Sequence, residues 1–233
     1  MSERTTASPA PAPSRRLVRV WDLPTRLFHW ALVVLVAFSW WSGENERFEW
    51  HFWSGYAILT LLIFRIVWGF VGSSTARFAD FVRGPLAGLA HLRELLGRHE
   101  MRDVGHNAIG GWMVVALILA LLVQAVTGLF ADDAILTVGP LGELVSSGTR
   151  EWLTDIHELL IKIILVMIGL HVLAVLSYLV LRRINLIGPM FTGRKALPAD
   201  LAAQPPKMAS SLLALAVLIV SGLIVWGIVS LGG

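Results

Sequence analysis

The sequence contains no cysteine. That excludes a disulfide, a cysteine-held iron–sulfur cluster and covalent haem attachment through a C-x-x-C-H motif, so any haem would have to be held non-covalently. Charge is scarce too, at 15% of residues, against 56% hydrophobic residues and a mean hydropathy of +0.71. So apolar a chain does not read as an ordinary soluble domain. The opening segment is not expected to be a signal peptide either. Residues 1–14 are rich in Pro, Ala, Ser and Thr and have no apolar core, which reads as a disordered arm. The first apolar run comes too late, and acidic and aromatic residues follow it where a small-residue cleavage site would be expected.

What the chain has instead is five apolar runs, at about residues 27–42, 52–71, 108–130, 156–181 and 209–231. Each approaches the roughly 20 residues that span a bilayer as a helix. The first is short but extends back through Pro24, which suits a first helical turn. Basic residues sort between the connecting segments. Fifteen Arg and Lys fall in residues 1–26 and in the second and fourth loops; Arg47 and Arg150 alone fall in the first and third. This asymmetry predicts a cytoplasmic N-terminus and, after five spans, a C-terminus on the outer side. It also accounts for the net charge of +3 and the pI of 9.8 without any nucleic-acid partner.

The loops carry weaker signals. Leu86, Leu89, Leu92, Leu95 and Leu96 recur at helical spacing, as an amphipathic helix in the interface or a soluble turn packed on the bundle would have them. Asp132, Asp133, Glu143, Glu151 and Asp155 make the third loop acidic, as a docking surface or simple solubility requires. Trp40, Trp41, Trp50 and Trp53 cluster at the first outer loop as an aromatic belt. The fifth run has neither charge nor histidine, and Gly222 and Gly227 are its candidate contact points.

Histidines supply the chemistry. His29, His51, His157 and His171 lie in or at the ends of spans, where ionisable residues are rare and usually functional. His157 and His171 stand fourteen residues apart, which returns a helix nearly to the same face about 21 Å further along. His51 opens the second span from the outside and matches His157 in level. His29 lies about 20 Å below the outer end of the first span and matches His171. Two stacked bis-histidine sites follow if the first and second spans face the fourth. Two histidines without cysteine make a poor zinc site, since zinc takes three or four protein ligands. Haem iron needs only two axial ligands, and with both positions filled it carries electrons rather than activating oxygen.

Haem propionates would need cations. Arg65, fourteen residues after His51, falls at the inner level and suits a propionate; the competing reading is a side chain snorkelling to headgroups. Lys162 serves the outer haem or pairs with Glu158, four residues before it. Gly55, one turn after His51, lets a flat macrocycle approach or lets helices pack. His106 contacts a propionate, holds a quinone headgroup as a titrating group, or is an ordinary interfacial histidine. A colourless transporter or scaffold with histidine relays is a further alternative.

These motifs together resemble the bacterial cytochrome b561 family, including the b-type cytochrome subunits of nickel–iron hydrogenases. The resemblance rests on Trp21-Asp22-Leu23-Pro24-Thr25-Arg26 with His29-Trp30, on His51 with Gly55 and Arg65, on Gly105-His106-Asn107 with Gly110-Gly111-Trp112, and on His157-Glu158 with Gly169-Leu170-His171-Val172. It covers about residues 18–195. It implies an all-α membrane protein whose four-helix transmembrane bundle binds two b haems (outer: His51 with His157; inner: His29 with His171), with a fifth C-terminal transmembrane helix added. Residues 1–17 would form a cytoplasmic arm, 18–195 the haem domain, and 196–233 a linker and the fifth helix. The family implies electron exchange in a bacterial inner membrane between quinone and a periplasmic or membrane-bound redox protein, such as a cytochrome c or a hydrogenase-like partner, in a homo- or hetero-oligomer. Some members suggest a superoxide oxidase instead. Lys162 and the fifth span depart from the family pattern.

Overall fold

The computed structural model describes residues 15–82, 84, 104–132 and 137–232. The arm at 1–14 and the leucine-rich stretch at 86–96 lie outside them. Five helices are long and apolar enough to cross a membrane: α1 (Leu23–Glu44), α2 (Phe48–Val71), α4 (Ala108–Gly128), α5 (Ser147–Leu181) and α8 (Ser211–Val229). Three short helices, α3 (Phe78–Phe81), α6 (Ile187–Thr192) and α7 (Ala199–Ala202), sit in the connections. The all-α membrane bundle expected from the apolar runs is the observed fold.

Local chemistry sets the helix starts. Asp22 caps α1, its Oδ1 accepting the Thr25 amide at 2.6 Å, and Pro24 sits in the first turn where its missing N–H costs nothing. Asp22 is buried, and its Oδ2 accepts the Trp68 indole N–H at 3.2 Å, which joins the start of α1 to the end of α2. Asn107 caps α4 by accepting the Gly110 amide at 2.7 Å, while its own amide donates to the Tyr178 hydroxyl at 2.9 Å. The Gly-His-Asn motif is therefore in part a helix start tied to α5.

The fourth span is longer than its apolar run predicts. Ser146 caps α5 ten residues before that run begins. The polar segment in between is compatible with helix, and hydropathy alone cannot see it. The 35-residue helix is about 50 Å long, roughly 20 Å more than the hydrocarbon core. In the loop before it, Arg150 is held by Asp132 at 2.8 Å and Glu143 at 2.9 Å. Part of this loop's acidity is thus spent within it, and Glu151, Asp155 and Glu158 remain exposed.

Helix α1 packs on α2, α4 on α5, and α2 also on α4 and α8. The backbone of α5 stays apart from those of α1 and α2, so side chains must bridge the space between them. Val36, Ile58, Leu62, Ile118, Leu121 and Ile164 form that bridging layer in the middle of the bundle. The fifth span buries Ala214, Ser221 and Val225. Gly222 faces Thr60 of α2, whereas a side chain at Gly227 would meet nothing, so only the former is a contact point.

One element has no counterpart in the apolar pattern. Strand β1 (Arg15–Arg19) pairs antiparallel with β2 (Arg194–Pro198). The pairing straddles both boundaries expected for the haem domain, at 17/18 and 195/196: those residues belong to one small sheet. Gly193 precedes β2 at φ 74°, and a Cβ there would lie 2.8 Å from the Trp21 carbonyl oxygen, so both backbone and space call for glycine. Its own carbonyl accepts the Val20 and Trp21 amides, locking the sheet to the entrance of α1.

Candidate functional site

His51, Ile58 and Arg65 follow one another at intervals of seven on α2, as do His157, Ile164 and His171 on α5. Seven residues are nearly two turns, so each trio shares a face. The middle members belong to the buried apolar layer, joined by Val36, seven residues after His29. The structure therefore has two polar clusters separated by an apolar floor.

The first cluster, by the α1–α2 turn, brings His51 and His157 together, ring centroids 6.0 Å apart and planes at 83°. His51 Nδ1 lies 2.8 Å from the Ser39 carbonyl oxygen, and His157 Nδ1 lies 2.9 Å from the Gln124 carbonyl oxygen. A carbonyl only accepts, so each Nδ1 carries the proton and each Nε2 keeps a free lone pair. This is the anchoring seen behind metal-binding imidazoles. Two metal–nitrogen bonds of about 2 Å, with half an imidazole ring on each side, would span about 6 Å. The observed separation thus suits one metal atom between the rings.

Glycines back both imidazoles. A Cβ on Gly43 would lie 3.1 Å from His51 Nδ1, and one on Gly128 would lie 2.7 Å from His157 Cε1. Gly55 is different: a Cβ there meets nothing within 4 Å, so helix packing does not explain it and the face below His51 is open. Lys162 and Glu158 are both exposed on α5. Among the described residues they form no ion pair with each other, so that alternative for Lys162 is not realised.

The second cluster, on the other side of the apolar layer, is built around Arg65. Its residue is only 2% exposed, which rules out the snorkelling alternative. The guanidinium lies 5.0 Å from the Phe78 ring centroid and 5.9 Å from that of Phe81, and Nη1 is buried without a hydrogen-bond partner. Asp22 lies within Coulombic reach of it. His106, just ahead of α4, packs between Trp21 and Phe81 with centroids 4.7 Å from each. Burial first, then the positive charge of Arg65, pushes its imidazole down to about 3. At neutral pH this burial favours its neutral, hydrogen-bonding form. Its Nδ1 and that of His29 are buried without partners. The His29 ring stands edge-on to Trp30 at 4.9 Å.

Among the described residues no group of three or more His, Asp or Glu gathers as a metal cluster, and the histidine rings in contact are those of His51 and His157. The groups that sequence reasoning missed are the carbonyls of Ser39 and Gln124 and the glycines at 43 and 128. A carbonyl has no residue identity, and a glycine in an apolar run resembles any other small contact. The family model described as prokaryotic cytochrome b561 matches residues 20–193. Neither a curated protein nor a solved structure matches the chain. A match over most of the chain, on a five-helix membrane bundle, places this protein in the prokaryotic cytochrome b561 family of membrane b-type cytochromes that transfer electrons.

Proposed function

We propose that the protein holds two b haems, an outer one between His51 and His157 and an inner one between His29 and His171, and carries electrons between quinone and a redox partner protein. The observation that carries this reading is the outer pair, whose spacing and carbonyl-anchored Nδ1 atoms suit axial ligation of one iron. Bound haem supplies reversible one-electron redox chemistry, and two imidazole ligands leave no open site for oxygen. The protein's own residues do the rest. Ser39 and Gln124 orient the outer rings, and open space at Gly55 admits a flat macrocycle. In the inner cluster, the unpartnered Arg65 Nη1 offers an N–H to an anionic group such as a propionate, and the unpartnered His106 Nδ1 joins it where its tautomer carries the proton.

On this reading residues 18–195 are the haem domain, extended by the strand residues on either side, and the basic loops put the N-terminus in the cytoplasm. Exposed Glu44, Glu46, Glu49, Glu151, Asp155 and Glu158 on the opposite side favour a basic protein partner over steering of the superoxide anion. The test is a pyridine haemochrome assay with reduced-minus-oxidised spectra on purified protein. About two protohaems per chain are expected from two bis-imidazole sites; absence of protohaem would sink the reading.

A packing prediction accompanies it. Gly128→Ala places a methyl group against the His157 ring, and the ring must leave the Gln124 carbonyl to make room. Overpacking of this kind costs about 1–3 kcal/mol. The expected result is a weakened outer haem, seen as a lowered haem-to-protein ratio, with the helical content of the chain unchanged by circular dichroism. Gly227→Ala, on the fifth span with open space around it, serves as the contrast for backbone effects alone.

A further inference from the structure

The β1–β2 sheet has two unlike faces. Val18 and Leu197 turn inward onto Val20 and Trp21 as a small core. The alternating residues Arg15, Leu17 and Arg19 on β1, with Arg194 and Ala196 on β2, turn outward and are exposed. Leu17, 66% exposed, sits between two arginines. The register sets Arg19 directly opposite Arg194 and Leu17 opposite Ala196. Like charges facing across a strand pair are unfavourable, and among the described residues none of these three arginines has an ion-pair partner. From Arg182 to Lys207 the sequence holds a single acidic residue, Asp200.

The platform is fixed close to the membrane. Arg19 comes four residues before the first residue of α1, and the Gly193 carbonyl ties Val20 and Trp21 to the start of β2. The intervening α6 lies against α1: the Phe191 ring stacks on Trp30 at 4.4 Å, and the Arg26 guanidinium donates to the Phe191 carbonyl. Both strands lie outside the segment matched by the family model, so the haem-binding core does not account for them.

We propose that the outward face of this sheet docks on anionic phospholipid headgroups of the adjacent leaflet. Phosphates relieve the repulsion between Arg19 and Arg194, Arg15 adds a third charge-assisted contact, and Leu17 inserts between them at the acyl boundary, as on other basic, partly apolar interfacial surfaces. The sheet then pins the inner ends of α1 and α5 to the headgroup layer.

Because the protein has no cysteine, Leu17→Cys creates a unique position for a polarity-sensitive fluorophore in the full-length chain. The labelled protein is placed in nanodiscs of phosphatidylcholine alone or mixed with phosphatidylglycerol, each with headgroup-level spin-labelled lipid as quencher. Phosphatidylglycerol should shift the emission to the blue and increase quenching. Arg15→Gln, Arg19→Gln and Arg194→Gln together should abolish both changes, each arginine weakening the attraction about fivefold. A label placed by Trp53→Cys on the outer turn controls for general effects of lipid composition, and monodispersity by gel filtration checks that each variant is intact. The proposal is overturned by equal signals in the two lipids, by a phosphatidylglycerol response that survives the triple substitution, by inorganic phosphate reproducing the shift in phosphatidylcholine, or by a response that tracks protein density and so reports a second copy.

Discussion

His157→Ala should remove one haem and leave the other. On the proposed pairing the haem-to-protein ratio falls from about two to about one, and a redox titration loses one of two midpoint waves while the second stays in place. His51→Ala should remove the same wave, because its ring is the one 6.0 Å from His157. His29→Ala and His171→Ala should remove the other. If His51→Ala and His157→Ala abolish different waves, the pairing fails even though both residues matter. The two sites should be separable because the layer of Val36, Ile58 and Ile164 lies between them, and effects at sites with no shared partners are nearly additive.

Arg65→Gln is the second large expected effect, and its sign depends on whether haem is bound. A buried guanidinium with an unpartnered Nη1 costs several kcal/mol unless an anion faces it. In haem-free protein, replacing Arg65 with the apolar Met should therefore be neutral or raise the Tm. In the haem-loaded protein either substitution should lower it, because a propionate loses its cation. Removing a positive charge about 10 Å from an iron, at an effective dielectric constant near 20, disfavours the reduced state by about 1.7 kcal/mol, a negative shift of about 70 mV. Arg65→Lys should recover most of that potential but not the stacking on Phe78 and Phe81. An unchanged inner potential in Arg65→Gln would make the residue purely structural.

Much of this arrangement was legible without coordinates. The five spans follow from apolar run length, and the spacing along each helix follows from helical pitch: fourteen-residue separations place His51 and Arg65 on one face of a helix, and His157 and His171 on one face of another. Other features were visible only in part. The start of α5 at Ser147 escaped notice because its first turns are polar yet helical. The sheet escaped because β1 and β2 are five residues each and come from opposite ends of the four-helix segment, so neither carries a recognisable strand pattern alone. Three roles stay open for His106 along the sequence, and only the fold shows it buried between Trp21 and Phe81, which favours its neutral form.

The sequence by itself determined that this is a membrane helical bundle, since hydropathy and helix periodicity are properties of a local stretch. It determined the family as well, because the motifs stand in order along the chain. Tertiary structure alone decided that His51 meets His157, that the Ser39 and Gln124 carbonyls turn both imidazoles the same way, and that Arg65 is sealed beneath Phe78 and Phe81 instead of reaching for headgroups. Each of those depends on the contact of distant segments, often through backbone atoms that are the same in every residue. No spacing rule along one helix can encode them.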